Sequence, residues 1–358
     1  MEGNSPTEDQ HTMNQIKEHQ HNKMLNAAEL GDLFANYLGD SLFCCIFEHH
    51  LQVVKDDEIK DYLEFAFDNA MKHLRMIKEI YTKENIPLPI GFGEQDVRKE
   101  APGLFSDVFM LFYTTQMARA GLLTYGDALS TATRQDIIEH FKVGLNDSID
   151  IYEKGTHLLL TKGINIATPT TPYPQKVDFV EKESFISVIA GKSRPLTTIE
   201  IKQLQVNINT NILGKALMLG FSQVASSEKL RNYFQEGVKV ADRQIKQLGK
   251  FLLNEYLPTP NLMDAHISDS TIPPFSDKLM LYHASLANTI GISNYGLAIS
   301  KTMRHDLHGE LAILTADIGK YANEGINLTI GNGWLEEPPT AADRIKLSKE
   351  SPSNKPVE

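Results

Sequence analysis

Three side chains in the first half of the sequence combine two carboxylates with an imidazole: Asp40, His73 and Asp147. Each lies near the middle of a segment with helical periodicity, so all three can meet inside one helical bundle. Two carboxylates and an imidazole can hold a single Zn²⁺, Fe²⁺ or Mn²⁺ ion and leave coordination positions open. The first candidate is therefore a mononuclear metal site at these three residues.

A di-metal oxidase or ferroxidase site needs a different pattern. It takes a Glu from each of two helices and a Glu-x-x-His from each of the other two, because this spacing places both ligands on one helix face. Glu18 and His21 have the spacing but lie in a polar N-terminal segment. The second and fourth predicted helices of each half lack it. We therefore expect no standard di-metal site, and we favour a non-enzymatic function.

The segments that must position these residues occur twice in the chain. The stretch LEFAFDNA, which begins at Leu63, corresponds to FQEGVKVA, which begins at Phe234, at an offset of 171 residues. After a Pro-x-Pro sequence the offset becomes 170, so that Phe105-Ser106-Asp107 matches Phe275-Ser276-Asp277. A single one-residue change over about 135 residues indicates two copies of one domain.

Apolar residues recur at spacings of three and four, which predicts four long helices in each copy and an all-α fold. Ser106 and Ser276 are suited to cap the third helix of each copy. Short connections make helices 1 and 2, and helices 3 and 4, antiparallel pairs. The 20 residues at 86–105 can instead run the length of a bundle. We predict two tandem ferritin-like four-helix bundles, each with one long crossover between helices 2 and 3.

The second copy changes the residues of the candidate site. Asn211 and Gln244 stand at the positions of Asp40 and His73, while Asp317 matches Asp147. Amides bind such ions poorly, so the metal hypothesis assigns the site to the first copy alone. The alternative is a buried hydrogen-bonded layer that sets the helix register, which amides satisfy equally well. The sequence favours this structural layer and leaves the metal site open.

The repeat divides the chain into five parts. They are a polar tail (1–24), the first bundle (25–163), a proline-rich linker with an amphiphilic segment (164–196), the second bundle (197–334) and a C-terminal tail (335–358). Apolar side chains of the linker are expected to dock on a bundle or to bridge the two, among them Phe179, Val180, Ile186 and Val188. Tyr-Gly pairs at 125–126 and 295–296 predict close helix packing or a kink rather than a catalytic tyrosine.

Composition excludes several classes of partner. The chain has 358 residues and a net charge of −11, which argues against nucleic-acid backbones and anionic membrane surfaces as partners. It lacks the run of about 18 apolar residues that a membrane span requires. Cys44 and Cys45 are neighbours and cannot staple the fold, which favours a reducing compartment. We predict a cytoplasmic protein that can have protein partners or self-associate.

Four stretches of the second copy carry a family resemblance: PFSDKLMLYH (274–283), the Tyr295-Gly296 pair, MRHDL (303–307) and YANEGINLTIGNGWLEEPP (321–339). They resemble a family of spore-forming Firmicutes known as domain of unknown function 3231. The resemblance extends over nearly all of residues 25–345. It implies tandem ferritin-like bundles, a loose relation to spore-coat-F-type proteins and no established activity.

Three functions follow from these observations. The favoured one is a structural or interaction protein, which the resemblance links to sporulation or the spore coat. The second is a metal-binding protein with a redox or storage role, with one Fe, Mn or Zn ion at Asp40, His73 and Asp147. The third is a carrier of a small apolar ligand in a bundle core, where flexible methionines such as Met110 and Met117 can make room.

Overall fold

A computed structural model describes residues 24–164, 168–187 and 194–349. The first copy forms α1 (Ala27–Val53), α2 (Asp57–Lys83), α3 (Asp107–Thr131) and α4 (Gln135–Thr161). The second forms α5 (Thr198–Val224), α6 (Glu228–Asn254), α7 (Asp277–Lys301) and α8 (His305–Gly331), followed by the short α9 (Arg344–Lys349). In these ranges β-pairing is limited to isolated bridges, and the predicted all-α class is confirmed. None of the helices described combines the length and the apolarity needed to cross a membrane.

Side chains mark the helix starts at equivalent positions in the two copies. Ser106 Oγ accepts a hydrogen bond from the Phe109 N–H at 3.3 Å, and Ser276 Oγ accepts one from the Leu279 N–H at 3.1 Å. Such bonds satisfy N–H groups that have no partner within the first helical turn. The predicted caps of α3 and α7 are confirmed.

Neighbouring helices of the first bundle run antiparallel. Asn36, near the start of α1, contacts Tyr125, near the end of α3. At the opposite end, the N–H of Asp56 in the α1–α2 turn donates to the Asp107 carboxylate at the start of α3. Because α2 is also antiparallel to α1, α2 and α3 point in the same direction. Residues 84–106 must therefore traverse the bundle, which confirms the predicted long crossover.

The two copies pack against each other through these crossovers. Isolated bridges pair Val97 with Phe275 and Phe105 with Ile267. Val97 is the register equivalent of Ile267, and Phe105 is that of Phe275, so each bridge is the image of the other. The copies are thus related by a pseudo-two-fold axis, as in a symmetric dimer made within one chain.

Buried side chains join the copies at this axis. Tyr113 on α3 and His283 on α7 hold equivalent positions, and their Oη and Nε2 atoms are 2.7 Å apart. One hydrophobic core continues through both copies; its largest members include Phe109, Phe112, Phe221 and Phe234. A separate cluster fills the far end of the first bundle and includes Leu33, Ile77, Ile137 and Phe141.

The linker departs in part from its prediction. Phe179 and Val180 are 85% and 60% exposed, so the expectation that they dock on a bundle is wrong. The carbonyl of Ile186 accepts a hydrogen bond from the His305 N–H at 2.9 Å, which holds this part of the linker to the start of α8. Val188 lies outside the described residues.

The beginning of the predicted C-terminal tail is attached to the first copy. The Glu336 carboxylate accepts hydrogen bonds from the N–H groups of Ile90 and Gly91, both at 2.8 Å. This contact places the chain after α8 against the first crossover. Of the predicted tails, residues 1–23 and 350–358 lie outside the described residues, and so does the Glu18 to His21 pair.

Candidate functional site

The structure brings the three predicted residues together in the middle of the first bundle. His73 on α2 is 4% exposed, and its Nε2 lies 2.8 Å from Asp147 Oδ2 on α4. Its Nδ1 lies 3.6 Å from Asp40 Oδ2 on α1. The imidazole is therefore enclosed between two carboxylates, and three different helices supply the three groups.

Three further side chains extend this arrangement. Tyr125 Oη lies 3.1 Å from His73 Nδ1 and 3.4 Å from Asp40 Oδ2. Asn36 Nδ2 donates to Asp40 Oδ2 at 2.8 Å and to Tyr125 Oη at 2.9 Å. His140 Nε2 lies 2.8 Å from Asn36 Oδ1. We refer to these residues as the polar layer: Asn36, Asp40, His73, Tyr125, His140 and Asp147.

Tyr125 shows close packing, although not at the glycine that follows it. Its ring lies against α4 at Gly144, where a Cβ atom would overlap the ring. A Cβ atom at Gly126 would meet no other described part of the chain within 4 Å, apart from its chain neighbours and the nearby backbone of its own helix. Burial raises the pKa of the Tyr125 hydroxyl well above its ordinary value. Tyr125 therefore acts as a neutral hydrogen-bonding group that positions Asp40 and His73.

The hydrogen bonds determine which groups of the polar layer are charged. Burial lowers the pKa of His73, but its hydrogen bonds to Asp147 and Asp40 outweigh burial and raise the pKa to about 9. Burial raises the pKa of Asp147, whereas its bonds to His73 and Lys72 bring it below the ordinary value. Burial and the charge on His73 lower the pKa of His140 to about 3. At neutral pH His73 is an imidazolium and His140 is neutral.

The protonated state of His73 disfavours metal binding at the predicted site. Both nitrogens of an imidazolium carry protons, so neither can donate a lone pair to a metal. Within the residues described, no three His, Cys, Asp or Glu side chains are arranged to hold a metal ion. An ion at Asp40, His73 and Asp147 would have to displace the His73 proton and its contact with Tyr125. The metal site stays a prediction.

The equivalent layer of the second copy has amides in place of His73 and Asp40. Tyr295 Oη donates to Gln244 Oε1 at 3.0 Å and accepts from Asn211 Nδ2 at 2.9 Å. Asp317 forms an ion pair with Arg243 at 3.2 Å. The tyrosine is therefore retained, while amides replace the imidazolium and one of the carboxylates.

A cavity of about 330 Å³ adjoins the polar layer in the first copy. It extends along α1 from Asp32 to Phe47, and small residues of α1 and α3, such as Gly39 and Gly121, make room for it. Asp40 and His73 form part of its wall. The wall on the α7 side comes from the second copy and consists of Leu286, Thr289 and Ile290. Both copies are therefore needed to enclose this space.

The pseudo-two-fold axis identifies what occupies the corresponding region of the second copy. The equivalent of Thr289 is Arg119 on α3, whose Nη2 donates to Asn294 Oδ1 at 3.3 Å. Asn294 is the equivalent of Thr124, which lines the cavity. The long arginine side chain thus enters, in the second copy, the region that the short Thr289 leaves open in the first. Two further positions are larger in the second copy, where Thr210 and Ile318 replace Gly39 and Ser148.

Comparison with known proteins places the chain in a family. Residues 13–177 and again residues 184–347 match the family described as Protein of unknown function (DUF3231). The chain belongs to this family. The two matched segments of this DUF3231 protein correspond to its two copies of the repeat.

Comparisons with solved structures and with curated proteins do not identify a ligand or a reaction. The DUF3231 chain is similar to the crystal structure of a "putative spore coat protein" from Bacillus halodurans, at 15% sequence identity and a TM-score of 0.38. That similarity covers 44% of this chain and 99% of the other. No curated protein matches the chain significantly. The chemistry of this DUF3231 protein must be inferred from its polar layer and cavity.

Proposed function

We propose that this chain is a non-catalytic protein that binds a small, largely apolar molecule in the cavity of its first copy. The difference between Thr289 and Arg119 at equivalent positions carries this proposal, because the short Thr289 leaves a space open in the first copy, whereas the Arg119 side chain enters the corresponding region of the second copy. The volume of about 330 Å³ lies in the range of small-molecule sites, about 300–1,000 Å³. Asp40 and His73 supply the few polar groups that such a site usually has.

The dimensions of the cavity favour a slender occupant. Asp32 and Phe47 are fifteen residues apart on α1, which corresponds to about 22 Å at 1.5 Å per residue. A volume of about 330 Å³ spread over that length is narrow. This shape suits a linear alkyl chain better than a fused ring system.

Closing the cavity tests the proposal. Thr289→Arg places in the cavity of the first copy a side chain like that of Arg119, which enters the corresponding region of the second copy, and it should weaken binding of 1-octanol, a neutral linear probe, at least about tenfold. Isothermal titration calorimetry should show about one equivalent of 1-octanol bound by the wild-type chain. Thr289→Ser keeps a short side chain and should bind as the wild type does. Equal binding by all three proteins would contradict the proposal.

One observation favours a second candidate function, metal binding with a redox or storage role: Asp40, His73 and Asp147 converge. Because no three His, Cys, Asp or Glu side chains in the described part of the chain are arranged around one ion position, we expect far less than one equivalent of iron, manganese or zinc. Elemental analysis of untagged protein purified without chelator measures this, with His73→Ala as the comparison. One equivalent of metal in the wild type, lost in His73→Ala, would establish the metal site instead.

A structural or interaction role is supported by the linker. Tyr173, Val177 and Phe179 are 85–90% exposed, and exposed apolar side chains close together in sequence are typical of surfaces that bind other proteins. This role is compatible with a bound ligand in the first copy. The association with spores rests on the family resemblance alone and stays a prediction.

A further inference from the structure

Two outer helices carry stripes of opposite charge with the same spacing. The acidic stripe lies on the first half of α2 and consists of Asp57, Asp61, Glu64 and Asp68. The basic stripe lies on the later part of α6 and consists of Lys239, Arg243, Lys246 and Lys250. In both stripes the intervals are four, three and four residues, which places the side chains on one helix face. All members of both stripes are exposed.

The charges of both stripes are available to another molecule. The carboxylates of the acidic stripe form no salt bridge in the part of the chain that the structure describes. In the basic stripe Arg243 pairs with Asp317 and Lys246 pairs with Asp242, but the two cationic side chains remain 52% and 71% exposed. Opposite charges on a partner can therefore approach both stripes without displacing a buried group.

The two stripes lie on different sides of the molecule. The junction between the copies is formed at α3 and α7, where Tyr113 contacts His283. Helix α2 packs mainly against α1 and α4 of its own copy, and α6 packs mainly against α5 and α8 of its own. The basic stripe therefore cannot reach the acidic stripe of the same chain, but it can reach that of a second copy.

Apolar groups accompany both stripes. The basic stripe continues into Leu253 and Tyr256, which are 60% and 97% exposed. Beside the acidic stripe, an open groove of about 730 Å³ runs between α2 and α4, and Tyr62, Phe65 and Leu158 line it. This groove is large enough to take apolar side chains from a molecule that docks on the acidic stripe.

Tyr256 differs from its equivalent in the first copy in a way that the fold itself does not require. Its φ is +58°, in the left-handed region, and the equivalent residue is Asn85 with a φ of +54°. Asparagine adopts this region far more readily than a bulky residue does. Because the Tyr256 side chain is exposed, no packing within the described residues offsets this cost. Burial in a contact with another molecule would offset it.

We propose that the basic stripe of one molecule docks along the acidic stripe of a second copy of this chain. Antiparallel pairing of the two helices brings Lys250 next to Asp57 and Leu253 to the start of α2, where the groove begins at Glu58. Charge complementarity selects the partner, and the groove receives Leu253 and Tyr256. Because the two stripes lie on different sides of the molecule, the contact continues from one molecule to the next as a linear assembly.

The salt dependence of self-association tests this interface. Exposed ion pairs are individually weak and are screened by salt, so the assembly should be reversible. In sedimentation velocity of the full chain at about 100 µM, the mean sedimentation coefficient should rise with protein concentration. This rise should occur in about 20 mM NaCl and disappear in about 500 mM NaCl.

Two charge-reversed variants identify the stripes. Asp61→Lys with Glu64→Lys removes the acidic stripe, and Lys246→Glu with Lys250→Glu removes the basic one. Each variant alone should sediment as a monomer in low salt. An equimolar mixture of the two should associate again, because each stripe of one variant then meets a stripe of opposite charge on the other. This recovery also shows that both variants are folded.

A matched control and an apolar variant complete the experiment. Glu94→Lys with Glu100→Lys changes the net charge equally, but it alters exposed carboxylates outside α2, so self-association should be kept. Tyr256→Asn introduces the residue type of the first copy and should weaken self-association at least about threefold.

The outcomes decide the proposal independently of the cavity. A wild-type chain that stays monomeric in low salt overturns it, and so does association that persists in either charge-reversed variant. A mixture of the two variants that stays monomeric overturns it as well. The binding of 1-octanol is measured separately, so failure of this interface leaves the ligand-binding function untouched.

Discussion

Lowering the pH from 7.5 to 5.5 should reduce the free energy of unfolding by about 4 kcal/mol. The expected cause is a set of four histidines that the folded chain buries in neutral form: His49, His50, His140 and His283. Three of them lie where the two copies meet or close to it, and the fourth belongs to the polar layer. All four must gain a proton when the chain unfolds in acid.

The sign of the effect follows from the pKa values. Burial lowers the pKa of His49 and His283 to about 4 and that of His50 and His140 to about 3, against 6.5 for a free histidine. At pH values between the folded and the unfolded pKa, the unfolded chain binds more protons than the folded chain. Each of these histidines therefore lowers the free energy of unfolding by about 1.3 kcal/mol when the pH falls from 7.5 to 5.5. His73 acts in the opposite direction: because its pKa is raised in the folded chain, the stability that it contributes increases as the pH falls and is fully present only below pH 6.5. This gain offsets the loss from about one of the four buried neutral histidines.

Urea unfolding at the two pH values measures this loss. His50 is completely buried and its ring meets Tyr113 edge-on, with centroids 6.0 Å apart. His50→Leu should remove about 1.3 kcal/mol of the pH-dependent loss, because it removes one proton-binding group from the unfolded chain. His157, whose side chain is 75% exposed, provides the control: His157→Gln should keep the full loss. A wild-type chain that is equally stable at pH 5.5 and 7.5 would show that this explanation is wrong.

Truncation of His73 should destabilise the chain by about 3 kcal/mol at pH 7. His73→Ala leaves Asp40, which is 6% exposed, without its cation. Removing one partner of a buried ion pair typically costs about 3–5 kcal/mol, because the other charge remains buried. We expect a loss at the lower end of this range, because Lys72 still pairs with Asp147 at 2.6 Å and Asn36 still donates a hydrogen bond to Asp40.

The second copy supplies a matched control for this experiment. Asp40→Asn combined with His73→Gln reproduces the arrangement of Asn211 and Gln244, in which a tyrosine hydroxyl links two amides. This double variant should cost less than about 1 kcal/mol, because no charge is left unpaired. Urea unfolding of the wild type, the single variant and the double variant gives the comparison. If the double variant is as unstable as His73→Ala, the loss comes from packing and not from an unpaired carboxylate.

Residue spacing predicts part of the polar layer beyond Asp40, His73 and Asp147. Asn36 precedes Asp40 by four residues and His140 precedes Asp147 by seven, so each pair shares a helix face. This spacing places the side chains of each pair on one face, but it does not show which helix packs against that face. Tyr125 could not be selected in this way, because its role depends on Gly144 of α4, which makes room for its ring.

The charge state of the polar layer could not be read from residue types. Two carboxylates and a histidine are equally suited to a metal ion and to a salt-bridged imidazolium. The difference lies in which atoms approach His73 and how completely water is excluded. Distances of 2.8 Å to Asp147 and 3.1 Å to Tyr125 engage both ring nitrogens in hydrogen bonds.

The repeat, the all-α class, the caps at Ser106 and Ser276 and the crossover are predictable from the sequence, because periodicity, capping and connection length are local properties of the chain. The common level of Asp40, His73 and Asp147 is predictable too, because each lies near the middle of its helix. The cavity is not predictable in this way. One of its walls comes from the other copy, and whether Thr289 or Arg119 faces a given bundle depends on the pseudo-two-fold packing, which no local pattern encodes.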